Sequence, residues 1–238
     1  MAEFTTIPAL ETAALNVDIN AGLLNRSEFY QTLASVIQDL RTPNMHHISL
    51  GIPLVDLRAL KALNDEYAPE LGDMALLATN IALRQTTHFP TRFYGDDFGG
   101  LCELNPYRQP ITAQTALEKR QNELQSDISA AFVSSFLALG ECSAFSWVFK
   151  SLSTSPQEII HNVPTLGVHV SLKRVDPDRT CNENMFAARQ ALKYAKKASR
   201  AKTLAKLSPD DQLRLAGLIQ QIRLLTGYDA QRNLGIEI

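Results

Sequence analysis

Apolar residues return at helical spacing between Phe29 and Leu40, where Phe29, Leu33, Val36, Ile37 and Leu40 fall on one face and Arg41-Thr42-Pro43-Asn44 ends the run. His47 to Val55, HISLGIPLV, is a mostly apolar stretch of strand length, which places Asp56 at the strand's C-terminal end. A short helix over Leu57 to Leu63 comes next. A second helix runs from about Asp73 to Arg84, with Ala75, Leu76, Ala78, Ile81 and Ala82 on its apolar face. Thr91 to Leu104, TRFYGDDFGGLCEL, then reads as two short strands around a Gly-Asp-Asp turn, with Asp96 and Asp97 at the tip of a hairpin. Helix, strand, helix and hairpin in that order open a split βαβ arrangement, in which Asp56 and Asp96 meet.

Further on, Thr112 to Leu139 has the pattern of a long helix, and Cys142 to Lys150 fits a helix or a strand equally. Leu166 to Val175 alternates as a strand does, and Asn182 to Ala201 is strongly helical. Leu207 to Leu225 predicts one more helix, opened by Ser208-Pro209-Asp210-Asp211. Its leucines and isoleucines are expected to pack on the domain or to meet another chain. The division expected is a lead-in at 1–17, a domain at 18–206 with an enlarged segment at about 105–165, and a C-terminal helical extension at 207–238.

Composition narrows the function classes. A net charge of -2 over 238 residues gives no strongly basic surface, so nucleic acid is not an expected partner. Cys102, Cys142 and Cys181 are far apart and form no metal or disulfide pattern, which fits a reducing cytoplasm. The N-terminus lacks a signal-peptide pattern, and Ala130 to Leu139 is too short to span a bilayer. A buried core helix is expected there.

Four separated segments fall into register with one family. DINAGLLNR resembles the opening D-x-L-T-G-L-x-N-R of the GGDEF domains, the diguanylate cyclases that join two GTP molecules into cyclic di-GMP. DLRALKALNDEYAPELGD is similar to their D-x-D-x-F-K-x-x-N-D-x-x-G-H-x-x-G-D block, RFYGDDF to R-Y-G-G-D-E-F, and ALKYAKKASR to A-L-Y-x-A-K-x-x-G-R. The resemblance covers about Asp18 to Arg200. It implies an α+β fold of the nucleotidyl cyclase palm type, with a mainly antiparallel central sheet flanked by helices.

The resemblance also implies roles. Asp56 and Asp96 match the metal-binding positions, for Mg²⁺ (or Mn²⁺) shared with the substrate's phosphates. Asp97 matches the neighbouring acid that helps to activate the attacking hydroxyl, and Lys61 the lysine facing the phosphates. Asn64 and Asp73 match the guanine-reading pair, since a carboxylate accepts from both N–H groups on the Watson–Crick edge and an amide both donates and accepts. Gly95 matches the second glycine of the signature, at the substrate. Lys196 and Arg200, four apart on one helix face, match the phosphate-holding cations. Without the family, Asp56, Asn64 and Asp73 read as helix caps, Asp96 and Asp97 as a solvated turn, and the lysines after Lys193 as a basic helix end.

The chain departs from the pattern in ways that bear on activity. Tyr94 stands where the signature has its first glycine, and its ring either obstructs ribose and phosphates or points away. Arg58 replaces the second acid of D-x-D, Leu60 the phenylalanine, and Ala68-Pro69 the glycine-histidine pair. The family's inhibitory R-x-x-D falls on Gln85-Thr86-Thr87-His88, so tight feedback binding of cyclic di-GMP is not expected. Two readings follow: a degenerate domain that binds GTP and Mg²⁺ and regulates a protein partner, or an active cyclase working as a homodimer.

Overall fold

The computed structural model describes residues 19–45, 48–106, 111–204 and 208. The chain divides into two compact units, Met1–Ala188 and Arg189–Ile238. The helix expected over Leu207 to Leu225 and the lead-in at 1–17 lie outside the described residues.

Helix α1 spans Arg26–Leu40 and is closed by a reciprocal capping box: Asn25 accepts from the Glu28 amide while Glu28 accepts from the Asn25 amide. Strand β1 spans Leu50–Arg58. A helical turn at Leu60–Ala62 runs into a π-helical turn at Leu63–Tyr67, and α2 follows over Pro69–Thr86 with proline at its first position. Strands β2, His88–Tyr94, and β3, Asp97–Glu103, form the hairpin. Helices α3 (Ala113–Glu141), α4 (Ser143–Leu152) and α5 (Pro156–Asn162) fill the enlarged segment, so Cys142 to Lys150 is resolved in favour of helix. Strand β4 spans Gly167–Arg174, and α6 runs over Cys181–Leu204.

The four strands are ordered β2-β3-β1-β4 and every neighbouring pair is antiparallel. Strand β3 lies between β1 and β2, the split βαβ arrangement the pattern predicts. Alternation along the strands assigns the two faces. Val55, Leu57, Phe98, Cys102, Val168, Val170 and Leu172 face α2 and α3, where Met74, Leu83, Phe132 and Phe136 complete the main core. The other face carries Ile52, Leu54 and Asp56, and Phe29 of α1 meets Phe93 of β2 there edge-on at 5.2 Å. Among the described residues strand β4 is a sheet edge. Gln125 of α3 blunts it by donating to the Val168 carbonyl at 3.0 Å and accepting from the Val170 amide at 2.8 Å.

Strand β1 continues past the expected end at Val55. Leu57 pairs with Val168 and Arg58 with Gly167, so partner strands carry the ladder through Asp56. Asp56 is therefore a mid-strand residue and not a helix cap. Helix α2 begins four residues before Asp73, so Asp73 is not a cap either. Among the described residues no single helix is long and apolar enough to cross a membrane, and Phe132 and Phe136 of the apolar stretch in α3 are fully buried.

Candidate functional site

The hairpin tip is a two-residue loop, Gly95-Asp96, closed by the Tyr94–Asp97 pair. Gly95 has φ +43°, at the loop position where hairpins with a positive first φ place glycine. Asp96 thus stands in the turn itself, whereas Asp97 is already the first residue of β3. Asp97 lies opposite Asp56 in the β1–β3 register, and the Asp96 carbonyl accepts from the Leu57 amide at 3.2 Å. One carboxylate oxygen from each of Asp56, Asp96 and Asp97 lies within 4.8 Å of the other two, and all three residues are half-buried. The structure thus brings Asp97 beside the two acids that the sequence singles out.

Ala59, three residues after Asp56, has φ 63° and ψ 14°. A left-handed alanine costs about 1 kcal/mol, and such strain gathers where a backbone must point its groups at a ligand.

Asn64 is on the π-helical turn, and its side chain lies directly over Gly72, the residue before Asp73. A β-carbon at Gly72 would collide with the Asn64 Oδ1 and stand 2.9 Å from its Cγ. The glycine is what lets the amide rest over this turn of α2, and both Asn64 and Asp73 are exposed to solvent. Lys61 is 92% exposed and pairs with Asp65 at 3.8 Å, on the outside of its turn. A pair this open contributes little to stability.

Arg92 was not singled out by the sequence, although it opens the RFYGDDF segment. Its Nε donates to the Gly95 carbonyl at 2.8 Å, its Nη1 donates to the Asn20 Oδ1 at 3.1 Å, and its guanidinium lies 5.5 Å from the centre of the Phe98 ring. Burial lowers its pKa, opposed by the nearby carboxylates of Asp73 and Asp96. It stays charged at any ordinary pH. One side chain therefore links the hairpin tip, the loop 19–24 and the Asp73 region. Asn80 of α2 pins the same loop by donating to the carbonyls of Ile19 and Ala21 at 2.8 and 3.2 Å.

Tyr94 answers the question its sequence position raises. A β-bulge between Arg92 and Tyr94 places Phe93 and Tyr94 in succession on one face. Tyr94 pairs with Asp97 and so shares the carboxylates' side of the sheet, but it leans outward: it is 58% exposed, with the Arg26 guanidinium 5.1 Å from its ring centre. The same guanidinium lies 5.4 Å from the Tyr30 ring. Lys196 and Arg200 are on α6 within the second unit, four residues apart on one helix.

A four-stranded antiparallel sheet with two βαβ halves and acids at the β1 end and the hairpin tip defines a palm-type nucleotidyl cyclase domain. The family model "Diguanylate cyclase, GGDEF domain" matches residues 15–138. The chain belongs to the GGDEF family. Solved structures agree on the fold. A sensory box/GGDEF family protein from Caulobacter crescentus CB15 is 20% identical, with TM-score 0.50, covering 74% of this chain and 95% of its own. The GGDEF domain of DgcB from Caulobacter crescentus, in complex with c-di-GMP, is 14% identical, with TM-score 0.51, covering 74% and 85%. The diguanylate cyclase SiaD from Pseudomonas aeruginosa, in complex with its activator SiaC, is 18% identical, with TM-score 0.52, covering 80% and 61%. No curated protein matches the chain.

Proposed function

We propose that this domain binds GTP with Mg²⁺ (or Mn²⁺) in the cytoplasm, within cyclic di-GMP signalling, and acts as a degenerate regulatory module in which cyclisation is weak. The observation that carries the reading is the convergence of Asp56, Asp96 and Asp97. Three carboxylates offer only oxygen donors, the set that suits Mg²⁺ and Mn²⁺. Asp56, Asp96 and Asp97 would hold the ion, which would supply positive charge to offset that on the triphosphate oxygens.

The chain's own residues do the rest. Asn64 and Asp73 hydrogen-bond the guanine edge, with Gly72 leaving room for the amide. Arg92 fixes Gly95 and the loop 19–24 around that pocket. The amides following Ala59 receive a phosphate, which Lys61 reaches by swinging from Asp65; Lys196 and Arg200, four apart on α6, are the chain's matches to the family's phosphate-holding cations. Tyr94 in place of the signature's first glycine, with Arg58, Leu60 and Ala68-Pro69 in place of the family's residues, favours binding over turnover. The reading of Gln85 to His88 as a lost inhibitory site stands beside this, since none of its four residues pairs a cation with an acid there. The three cysteines are free thiols, as suits a reducing compartment.

A second reading is favoured by the same carboxylates: an active diguanylate cyclase working as a homodimer, each protomer presenting one GTP. Incubating concentrated protein with GTP and Mg²⁺ and identifying products by mass separates the two. Unconsumed GTP supports the regulatory module, whose protein partner then reads the bound state. Cyclic di-GMP that disappears in Asp96→Ala makes the domain an enzyme.

A further inference from the structure

We propose that His169 is a positioning residue for the metal site, acting on the Asp56 carboxylate from the neighbouring strand; this rests on the metal reading above. His169 lies directly opposite Asp56 in the β1–β4 register. Val168 and Val170 on either side of it enter the main core, as do Val55 and Leu57 on either side of Asp56. Both side chains therefore project from the opposite face of the sheet, the side that carries Leu54 and Asp97. Residues opposed in this way have β-carbons about 4.5–5.5 Å apart, within reach of an imidazole and a carboxylate.

Two further observations fit this role. The His169 Nε2 is shielded from solvent. Two residues back on the same strand, Gly167 leaves open space where a side chain would stand, so the face beside the imidazole is clear toward Arg58. His169 stands outside the group of three acids whose ligand atoms converge, which makes it a partner of a ligand and not a fourth ligand. An imidazole N–H donated to the outer oxygen of Asp56 fixes the rotamer that aims the inner oxygen at the ion. Such outer partners typically change metal affinity by about 10- to 100-fold.

The test titrates Mn²⁺ alone into the full chain and reads free ion by its electron paramagnetic resonance signal. His169→Leu keeps the volume and removes the donor, and His169→Asn keeps a donor. The expected result is at least about tenfold weaker Mn²⁺ binding in His169→Leu, with most of it recovered in His169→Asn. In an Asp56→Ala background His169→Leu should then have no additional effect, because the two residues act through one contact. Thermal melting of each variant checks that it is folded. Unchanged binding in His169→Leu overturns the proposal alone, as does equal loss in the Leu and Asn variants. No Mn²⁺ binding by the unmodified protein, or binding indifferent to Asp56→Ala, overturns the metal reading and this proposal with it.

Discussion

Replacing Gly72 by alanine should separate stability from nucleotide recognition. Gly72 lies inside α2, where glycine is less favourable than alanine by about 0.5–1 kcal/mol. The added methyl collides with the Asn64 Oδ1 and would stand 3.1 Å from the Leu60 Cδ1. Asn64 is an exposed side chain and can rotate away, at a cost of about 0.5–1.5 kcal/mol if it is forced off its rotamer. The two effects nearly cancel, so the melting temperature should move little. Binding is different, because the amide can no longer lie over residue 72. Losing one hydrogen-bonding partner to a buried base edge costs about 1–3 kcal/mol, roughly 5- to 150-fold in affinity. Calorimetric titration with GTP and with ATP is the assay, with weaker GTP binding and a smaller preference over ATP expected. Unaltered GTP affinity and preference in a folded Gly72→Ala protein would refute the role given to Asn64.

Other outcomes follow from the same geometry. Arg92→Ala removes the bonds to Gly95 and Asn20, so GTP binding should fall and exchange of the loop 19–24 amides should quicken; Arg92→Lys, lacking the fork, should rescue little. Tyr94→Gly should raise product formation from GTP in a chromatographic assay, and an identical rate would move suspicion to Ala68-Pro69. Burial pushes the Cys102 thiol up to about 11 from 9.0. The unfolded chain then ionises first as pH rises through that window, so stability should fall between about pH 9 and 11, and Cys102→Ala should flatten that part of the melting profile.

The hairpin and its acids are legible in the sequence because turn chemistry and flanking apolar runs are local signals. Asp56 is legible as an acid near the end of a strand, but the strand's length is not, because Leu57 and Arg58 are held by Val168 and Gly167, more than a hundred residues away. Asn64 shows the same limit: a π-helical turn and a glycine eight residues later jointly place its amide. Arg92 carries no periodic signal of its own. Its importance comes from three contacts made by segments that only the fold brings together. In the enlarged segment the long helix is legible, while Cys142 to Lys150 is rich in aromatics and gives neither period. The break there comes from Cys142 adopting an extended backbone, φ -76° and ψ 153°, between two helices.

The central claim is that Asp56, Asp96 and Asp97 hold a metal for GTP. Titrating GTP into the unmodified protein and into Asp96→Ala, each with Mg²⁺ and with a chelator, tests it most directly. The account predicts tight binding only in the unmodified protein with Mg²⁺, and marked weakening when either the ion or the carboxylate is removed. GTP affinity indifferent to both changes would contradict it.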